Sequence, residues 1–227
     1  MRTHVLISGT GRAGTTFLVA LLTGLGLDTG FTSSQLDALP SYSYGGLEYD
    51  VRESSAPRIV KAPWLCDHLE EVLSSQEVAI EHLIVPVRDL YSTAQSRRRV
   101  SLLGKNLGGL WGTNSQKVGV QEAILAIKFF NLVYAAVDSD VPVTFIEFPR
   151  LALDGEYLYS KLLFLFEPAG ISFSDFIDEF KMHSKPERIH DFAGPRIYSP
   201  SLVSRVDAVR AVWKRTVGRL RAPFVIR

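Results

Sequence analysis

Val5-Leu6-Ile7-Ser8-Gly9-Thr10-Gly11-Arg12-Ala13-Gly14-Thr15-Thr16 decides how this chain is read. The first three residues are apolar and suit a buried strand. The last two open a run with apolar residues at 17, 18, 21, 22 and 25, the spacing of a helix that buries one face. Gly26 is placed to stop it. A glycine-rich turn therefore joins a strand to a helix N-terminus. The first N–H groups of a helix have no partner within it, and the helix dipole puts partial positive charge at the same end. Such a turn is a cradle for an anion.

Its spacing is that of the Walker A loop, Gly-x-x-x-x-Gly-Lys-[Ser/Thr], with one change: Thr15 stands where that loop has Lys. The cation sits three residues earlier, at Arg12. The loop suits a phosphate-bearing ligand, but not ATP with magnesium. Working outward, further strand-like runs lie at 58–61, 83–87 and 143–148, short and almost wholly apolar. Helical patterns alternate with them at 64–73, 89–100, 116–137, 156–166 and 201–220, and Asp89 is placed to cap the second of these. The alternation predicts an α/β domain of three layers and P-loop type, with a central parallel sheet of about four or five strands flanked by helices. Right-handed crossovers then bring the glycine-rich turn to the carboxyl edge of the sheet. Residues 31–57, 103–115 and 186–200 read as irregular segments of the kind that form binding loops.

The 227 residues suit one domain over 1–227. Hydrophobic residues make up 46% and charged residues 22%, an ordinary globular composition. A net charge of +1 gives no support for a nucleic-acid partner. The lone Cys66 excludes an intrachain disulfide and reads as a small buried side chain. No signal peptide is visible, and no apolar run approaches the roughly 18–20 residues of a membrane span. A cytoplasmic protein without stable membrane insertion is expected, its oligomeric state open. No His/Cys cluster or carboxylate motif points to a metal.

A second phosphate signal follows the third strand. Arg88 leaves its carboxyl end, and Ser96 lies two turns into the next helix. A guanidinium fork and a hydroxyl suit one phosphate approached from two sides. Taken alone, an arginine after a strand is more often a surface ion pair, here with Asp89.

The two loops together resemble the sulfotransferases that use 3′-phosphoadenosine 5′-phosphosulfate (PAPS). Arg12-Ala13-Gly14-Thr15-Thr16 is similar to that family's [Lys/Arg]-x-Gly-[Thr/Ser]-[Thr/Ser] loop. Arg88 and Ser96 match its Arg and Ser eight residues apart. Lys61-Ala62-Pro63 resembles its Lys-x-Pro turn, and 143–151 its later strand and turn. The resemblance runs through residues 5–151. The cytosolic branch has a His where this chain has Pro63, and its C-terminal Arg-Lys-Gly loop has no clean match, so the chain looks nearer to the bacterial and carbohydrate-modifying branches. The resemblance implies PAPS as sulfate donor and its bisphosphate (PAP) as product, without a metal. It implies that Gly11, Arg12, Ala13, Gly14, Thr15 and Thr16 hold the 5′-phosphosulfate, and that Arg88 and Ser96 hold the 3′-phosphate. A small molecule, glycan or lipid is the implied acceptor.

Sulfuryl transfer needs cations where charge develops on the leaving phosphate, and a base for the acceptor's proton. Arg12 and Lys61 are the expected cations. Glu48 is the first candidate base, with Asp37, Asp50, Asp67 and His68 open. Arg97-Arg98-Arg99 reads as a solvated helix face. Glu147 reads as an architectural residue at a strand end. Trp64 and Trp111 are candidates to line the acceptor pocket. Two other readings remain at this point: a kinase of a small metabolite with Asp89 holding magnesium, and a non-catalytic nucleotide-binding module.

Overall fold

The computed structural model describes residues 1–37, 46–102, 115–190, 192 and 194. Four strands, β1 (Arg2–Ile7), β2 (Ile59–Lys61), β3 (Val78–Val87) and β4 (Val143–Glu147), form one sheet in the order β2-β1-β3-β4. Every pairing is parallel, with Val5 opposite Ile59, Leu6 opposite Leu83 and Leu83 opposite Val143. The chain leaves β1 for β2 on one side and returns past β1 to β3 on the other. The order therefore reverses between β1 and β3, and their carboxyl ends frame the crevice where sheets of this kind bind ligands.

Successive strand residues point to opposite faces, and both faces are covered. Val5, Ile7, Ile59, Ile84 and Ile146 face one core with Leu18 and Leu22 of α1 (Thr15–Gly24). That core also holds α6 (Arg150–Leu153), α7 (Gly155–Lys161), α8 (Leu163–Ala169) and α9 (Phe173–His183). Leu6, Val60, Leu83 and Val85 face the other, with α3 (Leu69–Ser74), α4 (Leu90–Leu102) and α5 (Val120–Asp138). A short α2 (Ser33–Asp37) lies beside α1. An α/β domain with a four-stranded parallel sheet flanked by helices is thus the architecture among the described residues, as the alternation implied.

Several boundaries differ from expectation. The helix expected over 64–73 is a 3₁₀ turn, Pro63–Cys66, followed by α3 from Leu69. Pro63 sits at the first turn, and His68, at φ −135°, interrupts helical geometry. The helix expected over 156–166 is α7 and α8, broken at Leu162 with φ −112°. The helix expected from 116 begins at Val120, because Gly119 turns the chain at φ 83° and Glu122 accepts its N–H at 2.7 Å. The strand expected from 83 begins at Val78, paired with Arg2. The helix expected at 201–220, Trp111 and most of 103–115 lie outside the described residues.

Helix α5 is long and apolar enough to cross a bilayer by length and composition, although no such run was expected from the sequence. Its inward face carries buried Gln121, Glu122 and Lys128, and it packs on α3 and α4. Lys128 Nζ pairs with Asp67. It is the one such helix among the described residues.

Candidate functional site

The glycine-rich turn leaves β1 at Ser8, whose hydroxyl donates to Ala62 O at 2.9 Å and ties the turn to the end of β2. Gly14 caps α1 at φ 86°, a left-handed conformation that side chains disfavour. A Cβ there would also lie 2.9 Å from Leu151 and 3.1 Å from Phe148. Glycine is required on both counts. Arg12 adopts φ 60° without being glycine. Ala13 and Thr15 are buried, and Gly11, Thr15 and Thr16 line a cavity of about 790 Å³.

Two clusters face that cavity from opposite ends of the turn. In the first, Arg12 Nε donates to Ser96 Oγ at 3.0 Å. Arg88 donates to Arg12 O at 3.1 Å and to His190 O, and its guanidinium lies 4.8 Å from the Phe148 ring centre. Arg88 makes no ion pair with Asp89 among the described residues. Asp89 instead accepts the Ser92 N–H at 2.8 Å and caps α4 as expected. Arg97 completes the cluster by donating to Thr10 O at 3.3 Å. Burial pushes its guanidinium down to about 10, and the charge of Arg12 adds to this. Three guanidinium groups and a hydroxyl thus converge at the carboxyl ends of β1 and β3.

The second cluster is built on Lys61, the last residue of β2 and almost fully buried. Its ammonium donates to Thr16 Oγ1 at 2.9 Å and to Gly46 O, and lies 3.3 Å from Glu48 Oε1. Burial pushes the Lys61 pKa below the ordinary lysine range; Glu48 opposes the shift and Arg12 adds to it. The sequence candidates Thr16, Lys61 and Glu48, from three separate segments, therefore meet.

Three of the other candidate bases are engaged elsewhere, and the fourth, Asp37, lies on the cavity wall. Asp50 pairs with Arg52 at 2.7 Å, Asp67 with Lys128, and His68 with Glu71 at 3.1 Å. Asp37 lines the cavity beside α1. Trp64 stacks under Arg52, 4.7 Å from its guanidinium carbon, and is not among the cavity-lining residues described. Glu147 has an exposed side chain, and its N–H donates to Tyr157 Oη at 2.8 Å.

No protein-family model matches this chain, and no curated protein matches it. The site therefore has to be read from its own geometry.

The arginine run is the clearest correction. Arg97 and Arg98 are buried, not solvated, because α4 is enclosed by the glycine-rich turn on one side and α5 on the other. Arg98 makes a two-pronged pair with Glu122 at 3.0 and 2.7 Å. Arg97 was missed as a site residue. Its signal was its place directly after Ser96. Cys66 is buried as expected, and burial pushes its thiol up to about 12, in keeping with a packed side chain. Among the described residues no group of three metal-ligating side chains occurs.

Proposed function

We propose that this protein is a P-loop-type sulfotransferase that moves a sulfuryl group from PAPS to a hydroxyl or amine of a small molecule, glycan or lipid. One observation carries the reading. The Arg12–Arg88–Ser96–Arg97 cluster and the Thr16–Lys61–Glu48 cluster flank one glycine-rich turn and open into one cavity. This suits a ligand with a phosphate at each end. Asp89 Oδ1 caps α4, which counts against the kinase reading, where that carboxylate would hold magnesium.

PAPS supplies the sulfuryl group when bound. The protein's part is positioning and electrostatics. The first cluster holds the 3′-phosphate. Its Arg12 therefore serves that end through Ser96, rather than the reacting end alone. Lys61, Thr16 and the N–H groups at the start of α1 face the 5′ end. There they neutralise the phosphate oxygen that keeps the electron pair when its bond to sulfur breaks. Glu48 takes the acceptor's proton as the acceptor oxygen or nitrogen bonds to sulfur. Lys61 Nζ holds the Glu48 carboxylate in place beforehand.

Thermal unfolding with added ligands tests this reading. Adenosine 3′,5′-bisphosphate raises Tm and ATP–magnesium does not; the reverse result removes the proposal. Arg88→Ala weakens the bisphosphate by roughly 10–100-fold, as expected for a lost charged hydrogen bond of about 1.5–3 kcal/mol. Adenosine 5′-phosphosulfate, which lacks the 3′-phosphate, loses far less. Equal losses on the two ligands contradict the role given to Arg88.

A further inference from the structure

The cavity does not end at the two clusters. Beyond Thr16 it follows a half-buried stripe of α1, past Phe17 and Ala20 to Gly24. Eight residues of helix at about 1.5 Å each place Gly24 about 12 Å from Thr16. Leu36 of α2 and Met182 of α9 line it as apolar side chains, and Ser33 and Asp37 of α2 line it as polar ones.

At the far end lies a polar pair. Glu179 Oε1 is 2.8 Å from His183 Nε2, and the two side chains are only 15% and 23% exposed. Both line the cavity. Gly24 admits them. A Cβ at position 24 would stand 1.7 Å from Glu179 Oε1, so the carboxylate lies directly against the backbone of α1. The pair plays no part in the donor clusters.

We propose, resting on the sulfotransferase reading, that this arm receives the acceptor, and that the acceptor is an elongated amphipathic polyol at least two rings long. A carboxylate only accepts hydrogen bonds, so the group it meets is a donor such as a hydroxyl. Flanks that mix apolar Leu36 and Met182 with polar Ser33 and Asp37 suit rings with an apolar face and polar edges. The reacting hydroxyl lies at Glu48, which Lys61 joins to Thr16, and a remote hydroxyl donates to Glu179 at Gly24, about 12 Å along α1 from Thr16. A single ring does not span that distance. Glu179 is thus a specificity-determining residue, positioned by His183 and by the missing side chain of Gly24.

Calorimetry on the bisphosphate-saturated protein tests this with 4-nitrophenol, 4-nitrophenyl glucoside and 4-nitrophenyl maltoside. Affinity rises along that series, with the largest step at the maltoside. Glu179→Gln weakens the maltoside about tenfold and the glucoside much less. Gly24→Ala repeats the effect by displacing the carboxylate; Gly24 closes α1 without a left-handed φ and a Cβ there meets only the movable Glu179 side chain, so the fold is kept. Affinities that do not depend on length, or equal losses for both glycosides, overturn the acceptor assignment while leaving the donor reading intact. Failure of the bisphosphate to bind in the first titration removes the donor reading, and the acceptor assignment goes with it.

Discussion

On the proposed sulfotransferase reading, Glu48→Gln lowers the rate of transfer by about 10²–10⁴-fold and leaves bisphosphate affinity at neutral pH nearly unchanged. The amide keeps the volume of the carboxylate and cannot take the acceptor's proton. In that reading the donor's phosphates meet Lys61, Thr16 and the arginine cluster, none of which is replaced. Kinetics and calorimetry on the same preparation separate the two effects. A matched loss in affinity would make Glu48 a structural partner of Lys61 and move the base elsewhere. The pH dependence gives a second readout. Burial already pushes the Lys61 ammonium below the ordinary lysine range, and Glu48 opposes that shift. Removing the carboxylate leaves burial and Arg12 unopposed, so Lys61 loses its proton at lower pH still. The alkaline limb of donor binding moves towards neutrality in Glu48→Gln. An unmoved limb would mean that the 3.3 Å contact carries no electrostatic coupling.

Glu122→Ala is the most damaging single change expected for stability. Glu122 is fully buried, accepts two bonds from Arg98 and caps α5 through the Gly119 N–H. Arg98 is also buried. Removing one partner strands the other charge in a poorly solvated place, which costs about 3–5 kcal/mol. For a chain of this size the fall in Tm is roughly 6–20 °C. Pairing the change with Arg98→Met restores much of the loss, since no charge is then stranded. A double variant no better than Glu122→Ala would contradict this account. Burial pushes the Glu122 carboxyl up, but Arg98 and the backbone N–H groups outweigh it and hold the pKa below 4.5. Its contribution is therefore complete above the unfolded-state value and is lost as pH falls through the lowered folded value. Acid unfolding monitored by circular dichroism reads this out, with the double variant showing a shallower slope. The same pair holds α4 against α5 and so keeps Ser96 and Arg97 at the cavity.

The sheet was legible because parallel strands are short, largely apolar runs, as expected at 58–61 and 143–148. The glycine-rich turn was legible because its constraint is local: φ 86° at Gly14 and the unpartnered N–H groups of α1 follow from a few adjacent residues. What the sequence hid was long-range. Three consecutive arginines read as a wet face until Glu122, 24 residues from Arg98, supplies a buried partner. Lys61 and Glu48 were each singled out, but only the path of 46–61 brings them within 3.3 Å. Helix α9 was overlooked although its signals are local: Ser172 caps it by accepting from Asp175 N, and Phe173, Phe176, Ile177 and Phe180 recur at helical spacing. With it went the Glu179–His183 pair, four residues apart on one helix face.

Arg12 occupies a backbone conformation, φ 60°, that disfavours any side chain by about 1–2 kcal/mol. Arg12→Gly would relax the chain and discard a cation in the same stroke. Ruggedness and grip pull in opposite directions at that one position. A campaign that ranked variants of this protein by melting temperature alone would promote the loss of the grip proposed for Arg12.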